Sequence, residues 1–116
     1  MDSILGMRLD EYQKEASTTA IFPDEFPDFV TTGQVYTVLG QSGETGEIAE
    51  KMKKAIREDE EEYIEEMRGE VGDVLWYLSQ VCEEFDWDMN EIAEDNISKL
   101  KDRQERGQLT GKGDNR

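Results

Sequence analysis

The sequence contains no histidine and a single cysteine, Cys82. Without histidine, the chain lacks the commonest general base, the commonest transition-metal ligand and every serine–histidine or cysteine–histidine nucleophile arrangement. A single cysteine cannot form a disulfide within the chain, and Cys82 falls among apolar residues at helical spacing. We therefore interpret it as a small buried side chain. Any chemistry must use carboxylate, lysine, arginine and tyrosine side chains.

Positive charge is also scarce, with 13 lysines and arginines against 29 aspartates and glutamates and a net charge of -16. Such a chain repels polyanions, so we expect no direct binding to nucleic acid or to an anionic membrane surface. Charges interrupt the apolar runs, and no basic stretch with a hydrophobic segment opens the chain, so neither a membrane span nor a secretory signal is predicted. We expect a cytoplasmic protein.

The only two prolines lie in Phe22-Pro23 and Phe26-Pro27, where they interrupt helix formation. The rest of the sequence has helical periodicity and no strand pattern, and helices are expected at about residues 10–20, 34–57, 61–82 and 88–107. Asp10 and Asp88 are predicted to cap the first and the last of them. We expect one domain over residues 1–107 and a flexible tail over residues 108–116.

An internal repeat is the most informative pattern, because Gly43-Glu44-Thr45-Gly46-Glu47 recurs as Gly69-Glu70-Val71-Gly72-Asp73. An α-helix rotates by about 100° per residue around its axis. When Glu44 and Glu70 are each taken as zero, the apolar residues that follow the two copies occupy an arc of roughly 20° to 140°. Glu47 and Asp73 then lie near -60°. All four carboxylates are thus predicted at the border of the side that faces the core, where they can converge.

Converging carboxylates repel one another away from water, and a divalent cation offsets that repulsion. Because every candidate ligand is a carboxylate, Mg²⁺ fits best and Mn²⁺ also fits. The four glycines each cost about 1 kcal/mol relative to alanine in a helix. We therefore expect a second helix or a ligand to approach the backbone closely at the repeat.

Other candidate site residues accompany the carboxylates. Lys51, followed by Lys54, lies on the same border of the second helix, where it either meets phosphates or pairs with Glu47 four residues earlier. Tyr77 occupies the matching border of the third helix, where it either contacts a base or packs. Three polar residues share one face of the fourth helix, namely Asn96, Lys99 and Arg103.

Apolar residues also lie outside the core-facing arcs. Val35 and Leu39 fall near 180° and -140° on the second helix, and Trp76 falls near -120° on the third. A monomer of this size covers one stripe per helix, so the extra apolar faces predict an oligomer, at least a dimer.

The repeat stands within Gly-Glu-Thr-Gly-Glu-Ile-Ala-Glu-Lys from residue 43 and Glu-Val-Gly-Asp-Val-Leu-Trp-Tyr-Leu from residue 70. Together these stretches resemble the signature of the MazG-like nucleoside triphosphate pyrophosphohydrolases, of the all-α pyrophosphatase superfamily. The resemblance continues into Asn96-Ile-Ser-Lys99-Leu100 and covers most of the chain from Leu9 onward. Within the family, the chain is similar to small, often phage-borne members.

The resemblance implies an all-α, four-helix bundle-like subunit of a dimer or tetramer that hydrolyses nucleoside triphosphates, such as deoxynucleotides or non-canonical nucleotides, to the monophosphate and pyrophosphate. It implies Glu44, Glu47, Glu70 and Asp73 as Mg²⁺ ligands. Glu47 is the suggested general base, although the sequence leaves open which carboxylate is the base and whether one ion or two are bound. The implied catalytic residues are Glu44, Glu47 and Lys51. The implied substrate contacts are Lys54, Tyr77, Asn96, Lys99 and Arg103.

Two alternatives remain. The chain also fits another enzyme of the same superfamily, such as a deoxyuridine triphosphate diphosphatase or a phosphoribosyl-ATP pyrophosphohydrolase. The net charge alone is compatible with a non-enzymatic acidic protein that mimics nucleic acid. The repeat favours the enzymes, because it concentrates charge at the edge of the core and a mimic needs charge spread over its surface.

Overall fold

The computed structural model describes residues 6–107, over which the chain is helical and contains no strand. Four helices follow one another, namely α1 (Leu9–Ser17), α2 (Thr32–Glu58), α3 (Glu62–Glu84) and α4 (Met89–Glu105). The predicted all-α class with four helices is confirmed. The predicted tail at residues 108–116 lies outside the described residues. None of the described helices is long and apolar enough to span a membrane.

The helix ends follow from local hydrogen bonds. Asp88 caps α4 as predicted, since its carboxylate accepts hydrogen bonds from the backbone N–H groups of Asn90, at 2.8 Å, and Glu91, at 3.4 Å. The N-cap of α1 is Arg8, without a side-chain hydrogen bond, so the predicted Asp10 cap is wrong. Asp10 instead lies in the first turn, where its charge favours the helix N-terminus.

α2 begins earlier than the sequence analysis predicted, because Thr31 and Gln34 form a reciprocal capping box. The Thr31 hydroxyl accepts a hydrogen bond from the Gln34 N–H at 3.1 Å, and the Gln34 side-chain oxygen accepts one from the Thr31 N–H at 3.0 Å. α2 ends at Glu58, and its C-cap Asp59 adopts the left-handed conformation with φ 52°. The chain then turns directly into α3.

α2 and α3 pack along their lengths as an antiparallel hairpin. Successive contacts fix its register. At the open end, the Gln34 side-chain amide donates to the Glu84 carbonyl at 3.4 Å. Near the turn, the Lys51 ammonium pairs with the Glu66 carboxylate at 3.4 Å. Glu44 therefore lies at mid-length, opposite the third-helix copy of the repeat.

The side of α2 that faces α3 is rotated from the predicted one. The half-buried or buried residues of α2 include Thr37, Glu44 and Ile48, which lie between about 0° and 40° around the helix axis when Glu44 is taken as zero. The predicted arc centres near 80°, so only one edge of it meets α3. Glu44 is consequently on the line of contact between the helices, not at its border.

The rest of that arc is exposed. Its large apolar members on both helices lie between about 80° and 140° and are 40% to 74% exposed. Because the helices run antiparallel, the two arcs open on the same side of the hairpin. We call this surface the apolar face, and it consists of Val38, Met52, Ile56, Ile64, Val71, Leu75 and Leu78. Among the described apolar residues only Cys82 is buried, as predicted for that residue.

The other two helices do not complete a core around the hairpin. Within residues 6–107, no pair of helices except α2 and α3 is in extensive contact. The radius of gyration is 20.8 Å, whereas a compact domain of this length has about 13 Å. Bundle-like packing is therefore not closed within the described part of a single chain.

Glycines permit close helix approach at positions other than those predicted. A Cβ at Gly40 would collide with the ring of Tyr77, and a Cβ at Gly33 would collide with the carboxylate of Glu84. The four glycines of the repeat have no atom of the neighbouring helix within 4 Å of a built Cβ. Of the two predicted alternatives, close approach of a second helix and close approach of a ligand, the first is therefore wrong for α2 and α3.

We expect Gly40→Ala to lower the free energy of unfolding by about 1 to 2 kcal/mol, because forcing the Tyr77 ring aside costs more than the roughly 1 kcal/mol gained in helix propensity. Gly43→Ala is the matched control, since the space around it is open. It should raise the free energy of unfolding by about 1 kcal/mol. Urea denaturation measures both, and equal effects would contradict the packing of Tyr77 on Gly40.

Tyr63 connects the first turn of α3 to the last residue of α2. Its hydroxyl hydrogen-bonds to the Glu58 carboxylate, and this contact, with partial burial and nearby acidic charge, raises its pKa to about 12. The folded state thus holds this proton more tightly than the unfolded state, and the stabilisation is lost as pH rises from the unfolded value of 10.0 through about 12. Ultraviolet titration should show the Tyr63 pKa shifting back toward 10.0 in Glu58→Gln, and an unchanged titration would contradict the contact.

Candidate metal centre

A group of three carboxylates lies at the middle of the hairpin. Glu44 from α2 and Glu70 and Asp73 from α3 each offer one oxygen, and these oxygens all lie within 4.8 Å of one another. We call this group the carboxylate cluster. Glu44 and Glu70 are half-buried and Asp73 is exposed, so the cluster opens from the line of helix contact toward solvent. The structure therefore brings together one carboxylate of the first copy of the repeat and both carboxylates of the second.

The cluster is electrostatically crowded. The pKa of Glu44 is raised above its ordinary value, first by a hydrogen bond with Glu70, then by partial burial and by the charges of Asp73, Glu70 and Glu47. A proton shared between two carboxylates compensates for their repulsion. A hard divalent cation would do the same with oxygen ligands alone, so the residues present fit Mg²⁺ or Mn²⁺.

Glu47, the fourth predicted ligand, lies next to the carboxylate cluster but outside it. Its side chain is exposed one turn along α2 from Glu44. Its charge contributes to the raised pKa of Glu44, although less than each of the other causes. The structure therefore brings three predicted ligands together and leaves Glu47 at the rim.

The two lysines of α2 lie on the turn side of the carboxylate cluster. The Lys51 side chain is 21% exposed and forms an ion pair with Glu66 across the hairpin. One of the two predicted alternatives for Lys51 was an ion pair with Glu47, and the structure shows Glu66 as its partner instead. Lys54 is half-buried one turn further along α2. Its charge helps to lower the pKa of Glu50, after the larger effect of the Lys53 hydrogen bond.

Tyr77 lies beside the carboxylate cluster on the other side, toward the open end of the hairpin. Its ring packs on Gly40 and meets Trp76 edge to face, with ring centroids 5.0 Å apart. Burial raises its pKa first, followed by contact with Tyr36 and the charges of Glu44 and Asp73. Tyr77 is thus both packed and adjacent to the carboxylates. No pattern in the sequence marks Tyr36 as a site residue.

The sequence from Tyr36 to the end of α4 carries a family signature. A family model for the MazG nucleotide pyrophosphohydrolase domain matches residues 36–107, well over half of the chain. The chain belongs to the MazG family. The match includes the carboxylate cluster and α4 but neither α1 nor the proline-containing segment.

A relative spans nearly the same length. The chain is 38% identical over 114 residues to the Gene 37 protein of Mycobacterium phage L5. The alignment covers 95% of this chain and 100% of that protein. No solved structure matches the chain. The suggested likeness to small phage-borne MazG proteins is therefore confirmed, and the relative's name says nothing about an activity.

In this MazG chain, the residues predicted on α4 are not packed against the carboxylate cluster. Among the described residues, α4 makes no extensive contact with α2 or α3. Asn96 and Lys99 are exposed on it, and Arg103 is 3% exposed. A nucleotide that touched both the cluster and these residues would require α4, of this chain or of another copy, to lie beside the hairpin.

Proposed function

We propose that the chain hydrolyses nucleoside triphosphates, with deoxynucleotides or non-canonical nucleotides as preferred substrates, to the nucleoside monophosphate and pyrophosphate in a Mg²⁺-dependent reaction. The convergence of Glu44, Glu70 and Asp73 within the matched MazG segment carries this proposal. An acidic, histidine-free site is suited to a hard cation that accompanies a triphosphate. The net charge of -16 would otherwise repel such a substrate.

Glu44, Glu70 and Asp73 would hold the cation, which when bound neutralises phosphate oxygens and promotes the ionisation of water. Glu47, exposed at the rim, would accept the proton of the attacking water. This role suits Glu47 because its carboxylate is exposed beside the three converging oxygens and is not one of them. Lys54 would stabilise negative charge on the leaving pyrophosphate, and Lys51 would hold the turn end of the site through Glu66.

We further propose that the active form is a homo-oligomer, a dimer or a tetramer. The apolar face supports this, since its seven large apolar side chains are at least 40% exposed and, within residues 6–107, neither α1 nor α4 packs extensively on the hairpin. Assembly could also place α4 beside a carboxylate cluster, where Asn96, Lys99 and Arg103 would approach the phosphates.

Pyrophosphate release should be measured across the common and several damaged nucleoside triphosphates, with Mg²⁺, with Mn²⁺ and with neither. We expect cation-dependent release from more than one nucleotide. Activity confined to deoxyuridine triphosphate, or to phosphoribosyl-ATP, would identify instead one of the alternative enzymes of the superfamily. No release from any of these compounds would contradict the proposed function.

A further inference from the structure

Three aromatic side chains form a continuous group on the open-end side of the carboxylate cluster. Trp76 meets Tyr77 edge to face with an interplanar angle of 84°. Tyr36, on the neighbouring helix, lies close enough to Tyr77 to help raise the pKa of the Tyr77 hydroxyl. Tyr77 is held between the helices because its ring fills the space left by Gly40. The Tyr77 ring is therefore held in place and supports the two more exposed rings, Tyr36 and Trp76.

Tyr36 lies on the same side of the hairpin as the opening of the carboxylate cluster. Taking Glu44 as zero, Tyr36 falls near -80° and Glu47 near -60°, whereas the apolar face lies between about 80° and 140°. Tyr36 is therefore not part of the apolar face. Its ring is 67% exposed, so it is open to contact by a molecule bound at the cluster.

Three kinds of side chain follow one another along this side of α2, namely aromatic, acidic and basic. Tyr36 precedes Glu44 by about 12 Å of helix rise, and Lys51 follows Glu44 by about 10 Å, with Lys54 one turn further. This side of the hairpin therefore presents aromatic rings, then carboxylates, then ammonium groups. A nucleoside triphosphate has a matching order, with a flat base at one end and phosphates at the other.

We propose that Tyr36 is a substrate-binding residue whose ring stacks on the base of a bound nucleoside triphosphate, with Tyr77 holding the Tyr36 side chain in place. The base then points toward the start of α2 and the phosphates toward Lys54. This inference rests on the proposed function, since it assumes that the carboxylate cluster receives a triphosphate with its cation. Stacking on an aromatic ring accepts any base, so Tyr36 contributes affinity for nucleotides as a class.

The test uses Trp76 as a reporter in a Trp87→Phe background, which leaves one of the chain's two tryptophans. Trp87 stacks on Phe85 at 4.7 Å, and phenylalanine retains an aromatic ring there. The probes are dATP and inorganic tripolyphosphate. Each is titrated into the protein in the presence of Ca²⁺ while Trp76 fluorescence is recorded. Tripolyphosphate carries the phosphates without a base, so it separates stacking from binding at the carboxylate cluster.

We expect Tyr36→Ala to weaken dATP binding about tenfold and to leave tripolyphosphate binding unchanged. Tyr36→Phe should keep most of the dATP affinity because the ring remains. Tyr12→Ala is the matched control, since Tyr12 is a similarly exposed tyrosine, 62%, on α1, which is not packed on the hairpin. It should bind both probes as the parent does.

Equal losses for both probes in Tyr36→Ala, or no loss for either, would overturn the inference. So would a change in oligomer mass, because that would make Tyr36 an interface residue. A parent protein that releases pyrophosphate while Tyr36→Ala keeps the same KM overturns the inference and leaves the proposed function standing. Tyr36-dependent dATP binding without any pyrophosphate release supports the inference and contradicts the function, and a parent that binds neither probe contradicts both.

Discussion

Asp73→Asn is expected to reduce Mg²⁺-dependent pyrophosphate release by about 100-fold or more while leaving the helical content unchanged. Asparagine keeps the size of the side chain but removes a charge from the three carboxylates whose oxygens lie within 4.8 Å. The remaining pair, Glu44 and Glu70, offers one charged ligand fewer and holds a cation less well. Steady-state kinetics and circular dichroism measure the two effects.

The same substitution should raise the melting temperature of the metal-free protein. Asp73 is one of the charges that raise the pKa of Glu44, so its removal relieves repulsion within the folded state. Glu65→Gln is the matched control, because Glu65 is an exposed acid of α3 that pairs with Arg68 at 3.5 Å. It should change neither activity nor melting temperature. Full activity in Asp73→Asn, or a large loss of metal-free stability, would contradict a metal-binding role for the cluster.

Glu47→Gln separates the role of the rim carboxylate from that of the cluster. We expect pyrophosphate release to fall by at least about 100-fold, because the proton acceptor is removed. Binding of Mn²⁺, measured calorimetrically, should remain close to that of the parent, whereas Asp73→Asn should weaken it. If Glu47→Gln weakens Mn²⁺ binding as much as Asp73→Asn does, Glu47 is a ligand, as the family resemblance implies.

The sequence predicted the elements of this fold better than their mutual rotation. Helical periodicity and the Asp88 cap located the helices to within a few residues. The repeat placed Glu44 and Glu70 at equivalent positions of consecutive helices, and an antiparallel hairpin brings such positions together. The angular positions of residues around one helix axis, however, show only which residues share a side of that helix. They do not show which side packs against the neighbouring helix.

That rotation explains the main errors. The helices meet along Glu44 itself, so the repeat glycines face open space and Gly40 accommodates the neighbouring ring. The partner of Lys51 depends on the same register, because Glu66 becomes its neighbour only once the hairpin has formed. Tyr36 was missed because nothing local marks it, although its spacing from Glu44 places it on the side of Glu47.

The apolar face leads to the second large expected effect. The chain exposes 9976 Å² of accessible surface, whereas a folded monomer of its mass exposes about 6,500 Å². The excess of roughly 3,500 Å² per chain is at least as large as the about 1,000 to 2,500 Å² that each partner buries in permanent interfaces of about 2,000 to 5,000 Å² in total. Each large apolar side chain that becomes fully covered contributes about 1.5 to 3 kcal/mol. Association of two hairpins through this face would supply the core that one chain lacks.

We therefore expect Leu75→Glu to disrupt the oligomer, since Leu75 is 58% exposed on the apolar face and a carboxylate buried there would be unpaired. Light scattering should give a multiple of 13.4 kDa for the parent and for the apolar control Leu75→Met. Leu75→Glu should give the monomer mass or lose its helical signal, because a permanent dimer often has no stable folded monomer. The parent's melting temperature should also rise with protein concentration. A parent of 13.4 kDa with a concentration-independent melting temperature would show that a single chain is stable with its apolar face uncovered.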